Sequence, residues 1–287
     1  MGDVLAGIHA TWEFESDSVL IRFERGIRAP KLFQALRERR IPHEALESVT
    51  LTQGKRGTVV LHAVPRPGAD PLMEAAAGQL KDGCDPYRLV LPAERETLAE
   101  YYADELRALL GRDAAEPSER YLVAAPELPQ NFKAYDGRAS FDGRQVSFRW
   151  FWTGASSAKW KAGDQTFPVA SLCGVEWRSP EVFDGYLRLL RRAADDSAPL
   201  QADQDPAAVV FGLGYGPVHE SLPFAAAVLQ AVRGAAAVPV PAPRTAPGLR
   251  DPADIAERIR HLGELHQAGL VTDAEFTAKK TELLAQL

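Results

Sequence analysis

A repeated pattern of apolar residues constrains this chain more than any other feature of its sequence. Both halves carry an apolar residue, a proline and three further apolar residues at identical spacing: Ile41-Pro42, Leu46, Val49 and Leu51, then Phe167-Pro168, Leu172, Val175 and Trp177. Further matches follow the same order along the chain: 19–23 with 146–150, 57–61 with 185–189, and 85–86 with 205–206. Ordered matches of this kind indicate a duplication, so we expect two diverged copies of one domain.

Each copy has the pattern of short strands closed by one helix. Alternating segments such as Thr11–Phe14 and Ser18–Phe23 are typical of half-buried strands. The closing helices are predicted over 94–110 and 218–232, with apolar faces of Leu98, Tyr102, Leu106 and Leu109 or Leu110, and of Leu222, Ala225, Ala226, Leu229 and Val232. Asp70-Pro71 predicts an extra short helix in copy 1. The predicted fold class is α+β, a small, partly open barrel or roll sealed by a helix in each copy.

Proline-containing segments divide the chain. The predicted order is copy 1 (1–111), a linker (112–130), copy 2 (131–233), a Pro/Ala-rich spacer (234–250) and a C-terminal segment (251–287). In that last segment Gly269 ends one predicted helix and Thr272-Asp273-Ala274-Glu275 caps the next, which predicts a helical hairpin.

The predicted hairpin carries an apolar stripe, and we expect this stripe to bind another surface. Its residues are Ile255, Ile259, Leu262, Leu265, Leu270, Phe276, Leu283 and Leu287. So short a hairpin rarely folds alone. The stripe therefore packs either on the protein's own domains or on a second copy or partner protein. The long spacer favours the second alternative, because adjacent packing needs no tether.

A local cluster of basic residues is the best candidate for ligand binding. The net charge is −6, so attraction to nucleic acid or an anionic membrane has to come from such a cluster. The candidates are Arg22, Arg25, Arg28, Lys31, Arg37, Arg39 and Arg40 in copy 1, and Trp150, Trp152, Trp160 and Lys161 in copy 2. Cations beside aromatic rings suit phosphate headgroups, membrane interfaces or single-stranded nucleic acid, the last being the weaker alternative. A different interpretation assigns no ligand to these residues. In it the cations form a solvated face over buried aromatic side chains, and residues 37–40 lie at the end of a short helix.

No pattern of catalytic or metal-binding residues is found, so we expect no enzyme, no metal and no cofactor. The glycine-rich 212–217 departs from a dinucleotide fingerprint, because Pro217 stands where its third glycine belongs. Cys84 and Cys173 are far apart, which favours a reducing compartment. Without a signal peptide or an apolar membrane span, a cytoplasmic location is expected, with the inner membrane face as a peripheral alternative.

Two resemblances cover most of the chain. Residues 262–280 resemble the bacterial short C-terminal domain SHOCT, which implies an oligomerisation or interaction module. Residues 10–14, 70–72, 78–80 and 85–88 resemble an uncharacterised family of high-GC bacteria, domain of unknown function 4429, with two pleckstrin-homology-like (PH-like) domains. This resemblance implies two near-orthogonal sheets with a capping helix in each copy, and no activity. Copy 2 has Ala207-Ala208 in place of Tyr87-Arg88, so any function of that pair would belong to copy 1.

Overall fold

The computed structural model describes residues 3–182, 184–192, 200–212 and 219–237. These residues lie in one compact unit, Met1–Val238, and a second unit comprises Pro239–Leu287. The predicted helical hairpin and its apolar stripe lie outside the described residues, as does nearly all of the predicted spacer.

Copy 1 consists of seven strands and three helices. Its elements are β1 (Asp3–Ala6), β2 (Ala10–Phe14), β3 (Ser18–Phe23), α1 (Lys31–Leu36), β4 (Glu38–Pro42), β5 (Leu46–Gln53), β6 (Thr58–Pro65), α2 (Pro71–Ala76), β7 (Arg88–Pro92) and α3 (Glu96–Ala108). The strands form two antiparallel sheets, β1-β2-β3-β4 and β5-β6-β7. The apolar positions that alternate along these strands form the core between the sheets and α3.

Copy 2 repeats this order of strands. Its elements are β8 (Gln130–Lys133), β9 (Gly137–Phe141), β10 (Gln145–Trp150), α4 (Ser157–Ala162), β11 (Gln165–Pro168), β12 (Leu172–Arg178), β13 (Tyr186–Arg191), β14 (Ala208–Val210) and α5 (Ser221–Ala237). The sheets are again four-stranded and three-stranded, β8-β9-β10-β11 and β12-β13-β14. Both apolar–proline pairs end a fourth strand and lead through a short 3₁₀ turn into the fifth. The predicted α+β class and the predicted duplication are therefore confirmed.

Backbone contacts join the two sheets of each copy at an edge. Ile8, just before β2, forms an antiparallel bridge with Val90 of β7, and the Tyr135 N–H donates to the Val210 carbonyl of β14 at 3.1 Å. Among the described residues no sheet closes into a barrel. In the described ranges each copy thus consists of a pair of antiparallel sheets and a closing helix.

The apolar face predicted for α3 was partly wrong. Tyr102 and Leu106 are buried, and Leu110, the predicted alternative to Leu109, is half-buried against the core, but Leu98 and Leu109 are exposed. The buried face is completed by Ala99 and Ala103, whose small side chains bring the helix close to β5, β6 and β7. The prediction selected large apolar side chains and therefore left out these alanines.

Helix α5 is buried on more sides than its predicted stripe requires. The predicted residues are buried, apart from the half-buried Leu229, and so is every other residue from Ser221 to Val228. One side of α5 packs on β8 and β12 of its own copy, and another packs on α2 of copy 1. A helix that is apolar all round is expected to be covered all round.

Helix α2 confirms the prediction from Asp70-Pro71. The Asp70 side chain caps the helix by accepting a hydrogen bond from the Leu72 N–H at 2.8 Å, and Pro71 occupies the first turn. Leu72, Ala75 and Ala76 are buried. The element that distinguishes copy 1 is thus the one that packs on copy 2.

Polar contacts join the two copies beside this helix packing. The Gln79 side chain donates to the Trp177 carbonyl at 2.8 Å and accepts from the Ser179 N–H at 3.0 Å. Lys81 Nζ lies 2.5 Å from Glu181 Oε2. These contacts fix one copy against the other in addition to the apolar packing.

Replacing Gln79 should weaken the joint between the copies. We expect Gln79→Ala to lower the free energy of unfolding by about 1–2 kcal/mol, because two hydrogen bonds to copy 2 are lost. Urea denaturation followed by fluorescence measures this. The matched control is Gln53→Ala, whose side chain bonds only the exposed Glu96, and it should change stability by less than about 0.5 kcal/mol. Equal effects of the two substitutions would contradict the role given to Gln79.

Candidate functional site

Five of the seven predicted basic residues of copy 1 line one cleft. This cleft, which we call the arginine cleft, has a volume of about 870 Å³ and lies between β3, β4 and the segment 124–130. Its charged lining comprises Arg22, Arg25, Arg37, Arg39 and Arg40 with Glu38 and Glu127. Two predicted candidates, Arg28 and Lys31, are exposed but do not line the cleft.

Strand pairing places Arg22 and Arg40 on the outer side of the sheet. Antiparallel pairing of β3 with β4 places Arg22 opposite Glu38 and Leu20 opposite Arg40. Alternation along β4 leaves Glu38 and Arg40 exposed and directs Arg39 and Ile41 inward. The interpretation that 37–40 end a short helix is wrong, because α1 ends at Leu36 and only Arg37 caps it.

Arg37 reverses the chain between α1 and β4. Its φ of 63° lies in the left-handed region, which is uncommon for a residue with a side chain. Its N–H donates to the Phe33 carbonyl at 2.9 Å, and its own carbonyl accepts from the Phe23 N–H at 2.9 Å. These two bonds hold the turn, so the exposed Arg37 side chain is presented at a fixed place beside the cleft.

The exposed arginines of the cleft differ in their partners. Arg22 lies 2.9 Å from Glu13, and Arg40 forms an ion pair with Glu15. Arg25 and Arg37 have no ion-pair partner within the described part of the chain. Two guanidinium groups beside the cleft are thus available to an external anion, and two more hold carboxylates that an anion could displace.

Arg39 is part of a buried network and is not available to a ligand. Its guanidinium donates to Asp70 Oδ1 at 2.8 Å and to the Tyr87 hydroxyl at 3.0 Å, and the Tyr87 O–H donates to Asp70 Oδ2. Burial disfavours the charged guanidinium, but Asp70 and Tyr87 outweigh burial and keep the pKa of Arg39 above its ordinary value. Burial also raises the pKa of Tyr87, which keeps its hydroxyl protonated as a donor.

The Tyr87-Arg88 pair has a structural role in copy 1. Tyr87 is fully buried in the network, and Arg88 lies 3.5 Å from Asp82. Copy 2 has alanines at these positions and lacks the Tyr87 hydroxyl.

The aromatic candidates of copy 2 fall into two groups. Trp150 is buried, and its indole N–H donates to the Gly163 carbonyl at 2.8 Å. Trp152 and Trp160 are 80% and 53% exposed, with their rings edge to face at 6.1 Å. Lys161 is exposed beside Trp160. None of these residues lines the arginine cleft, so the two predicted groups of candidates form separate surfaces.

Sequence reasoning missed a second buried ion pair, in copy 2. Lys159 Nζ lies 2.5 Å from Asp136 Oδ2 and 4.9 Å from the centre of the Trp150 ring, and Asp136 Oδ1 accepts from the Val210 N–H at 3.0 Å. Burial raises the pKa of Asp136 and lowers the pKa of Lys159, and their mutual attraction offsets part of each shift. The sequence gives no local signal for this pair, because Asp136 and Lys159 are 23 residues apart.

Side chains that could bind a metal ion do not cluster in the described residues. In the described ranges no group of three or more His, Cys, Asp and Glu side chains could hold a metal ion. Cys84 and Cys173 are free thiols. Most of the glycine-rich segment 212–217 lies outside the described residues. None of the helices in the described ranges has both the length and the apolar character that crossing a membrane requires.

The fold and the cleft define a duplicated α+β protein with one basic site in its first copy. Domain of unknown function 4429 matches residues 12–107 and 139–229, which together exceed half of the chain. The chain belongs to this family, with two copies of its domain. The short C-terminal domain, SHOCT, matches residues 257–284. No curated protein matches the chain.

Removing the buried arginine and its exposed neighbour should have different consequences. We expect Arg39→Met to lower the free energy of unfolding by about 3–5 kcal/mol, because Asp70 is left buried without its cation. Arg40→Met removes a half-exposed ion pair and should cost less than about 1 kcal/mol. Chemical denaturation of both variants checks this. A small effect at Arg39 would contradict the network, because the Arg40 variant controls for the loss of one charge.

Proposed function

We propose that this chain is a non-enzymatic binding and scaffold protein. Copy 1 binds an anionic ligand in the arginine cleft, and the C-terminal segment joins the chain to a second copy or to a partner protein. The observation that carries the proposal is the convergence of Arg22, Arg25, Arg37 and Arg40 on one cleft, two of them without an ion-pair partner in the described ranges.

The chemistry of the cleft favours a multiply charged oxyanion. A guanidinium group presents parallel N–H donors that match carboxylate and phosphate oxygens, and such charge-assisted bonds are stronger than neutral ones. Glu38 and Glu127 offset part of the charge but leave an excess of arginine in the lining. A ligand with two neighbouring phosphate groups could engage Arg25 and Arg37 together.

The architecture supports a PH-like assignment for each copy. A four-stranded and a three-stranded antiparallel sheet followed by a closing helix is the arrangement expected for a PH-like roll. A fold of this kind hosts many functions, so the anion-binding role rests on the cleft.

The SHOCT match supports the assembly role. It covers residues 257–284, in which Leu262, Leu265, Phe276 and Leu283 belong to the predicted apolar stripe. Association through this segment would place several arginine clefts in one assembly, and linked sites raise the overall affinity for a multivalent surface.

Pyrophosphate tests the anion site. We expect isothermal titration calorimetry at low salt to detect pyrophosphate binding to the full chain. Arg25→Gln combined with Arg37→Gln should weaken it at least tenfold, because two charge-assisted contacts are lost. The control, Arg112→Gln with Arg120→Gln, removes the same charge from exposed side chains outside the cleft and should bind nearly as the unaltered chain does. Equal weakening in both double variants would contradict a site in the cleft.

Light scattering tests assembly. We expect the full chain to have a mass above that of one copy, and Leu262→Glu with Phe276→Glu to return it to the monomer, because charges in an apolar stripe oppose its burial. The double variant Arg112→Gln with Arg120→Gln lowers the net charge by the same amount outside the stripe and should keep the larger mass. A monomeric mass for the unaltered chain would contradict self-association, and pull-down of a partner protein would then test recruitment.

A further inference from the structure

A tight turn beside the arginine cleft exposes one large apolar side chain. The turn runs from Gly26 to Ala29, whose N–H donates to the Gly26 carbonyl at 3.0 Å. The Gln34 side-chain amide donates to the carbonyls of Gly26 and Ala29 at 3.1 and 3.2 Å. Ile27 lies in this turn with a relative exposure of 106%. The turn is thus held by its own hydrogen bonds while its apolar side chain stands in water.

The surroundings of Ile27 distinguish it from an ordinary exposed residue. Single exposed apolar side chains are common and need no explanation by themselves. Here the residue lies between Arg25 and Arg28 in the sequence, and Lys31 begins the next helix. All three cations are exposed, and none has an ion-pair partner within residues 3–182 or the other described ranges. An exposed apolar side chain in a short segment of unpaired cations suits a surface that is both apolar and anionic.

The turn and the cleft share a residue. Arg25 precedes the turn directly and also lines the arginine cleft. A soluble phosphate compound would explain the cleft but not Ile27. Single-stranded nucleic acid is bound by stacking bases on aromatic or guanidinium planes, and an isoleucine offers no such plane. An anionic phospholipid bilayer accounts for both features, because its phosphates lie beside its hydrocarbon.

We propose that the Gly26–Ala29 turn inserts Ile27 into the surface of an anionic lipid bilayer while the arginine cleft binds a lipid phosphate. This inference rests on the proposed function and identifies the ligand as a membrane lipid. Arg28 and Lys31 lie where the negative surface potential attracts them, and each such cation adds to binding. Ile27 contributes apolar burial that salt does not screen.

The equivalent connection in copy 2 has the same character. It joins β10 to α4, as the Ile27 turn joins β3 to α1, and it carries the exposed Trp152. Trp160 packs edge to face against Trp152, and the neighbouring Arg149 and Lys161 are exposed. Tryptophan is enriched at membrane–water interfaces. Both copies therefore combine an exposed apolar side chain with cations at the same place in the fold.

Vesicle binding of the full chain tests the inference. Sedimentation would use vesicles of phosphatidylcholine mixed with phosphatidylglycerol, whose anionic headgroups give a negative surface potential, and vesicles of phosphatidylcholine alone. We expect binding only to the anionic vesicles. Ile27→Ser should weaken this binding about tenfold, and Ile27→Trp should strengthen it several-fold without pelleting in the absence of vesicles. Pyrophosphate binding should be unchanged in both variants.

The control is Leu109→Ser, which removes an apolar side chain that is 52% exposed at the end of α3. It should bind vesicles as the unaltered chain does. Vesicle binding that is insensitive to Ile27, or equally reduced by Leu109→Ser, overturns the insertion. Pyrophosphate binding without vesicle binding also overturns it and leaves the proposed function standing. Absence of both kinds of binding removes the proposed function itself.

Discussion

The carboxylate of Asp70 connects the parts of copy 1 on which the remaining structure depends. One oxygen accepts hydrogen bonds from Arg39 in β4 and from the first turn of α2, and the other accepts from Tyr87 just before β7. This group thus ties the four-stranded sheet, the three-stranded sheet and the helix that packs on copy 2. Because a buried carboxylate is costly unless it is paired and hydrogen-bonded, its partners have to stay in place together.

The two copies keep one backbone plan with different buried polar groups. Phe23 and Phe33 stack in copy 1 with ring centres 4.5 Å apart, whereas Trp150 meets the Lys159 ammonium in copy 2. Lys159 then needs an anion, which Asp136 supplies. Copy 2 thus contains its own charged network in place of the one around Asp70. The shared plan depends on apolar spacing along the strands, which either set of polar contacts can accompany.

The duplication could be predicted because apolar spacing in strands repeats directly in the sequence. The start of α2 could be predicted for a similar reason, since Asp70-Pro71 acts locally on the backbone.

Burial of Arg39 was missed because 37–40 suggested a helix end. Its alternation with Ile41 in a strand would have placed it inward. The packing of α5 on α2 was not predicted, because one apolar face of α5 is enough to cover the core of its own copy. Its uninterrupted apolar run was the available signal.

The arginine cleft depends on both copies, although its arginines come from one. Its other wall is the segment 124–130, and the Ala125 N–H donates to the Gln230 side chain of α5 at 2.7 Å. Helix α5 in turn packs on α2, whose cap is Asp70. A ligand in the cleft would therefore contact a sheet of copy 1 and a segment held by copy 2. Since a ligand stabilises the arrangement that binds it, occupancy would reinforce the packing between the copies. The proposed ligand site and the packing between the copies therefore share one segment, 124–130.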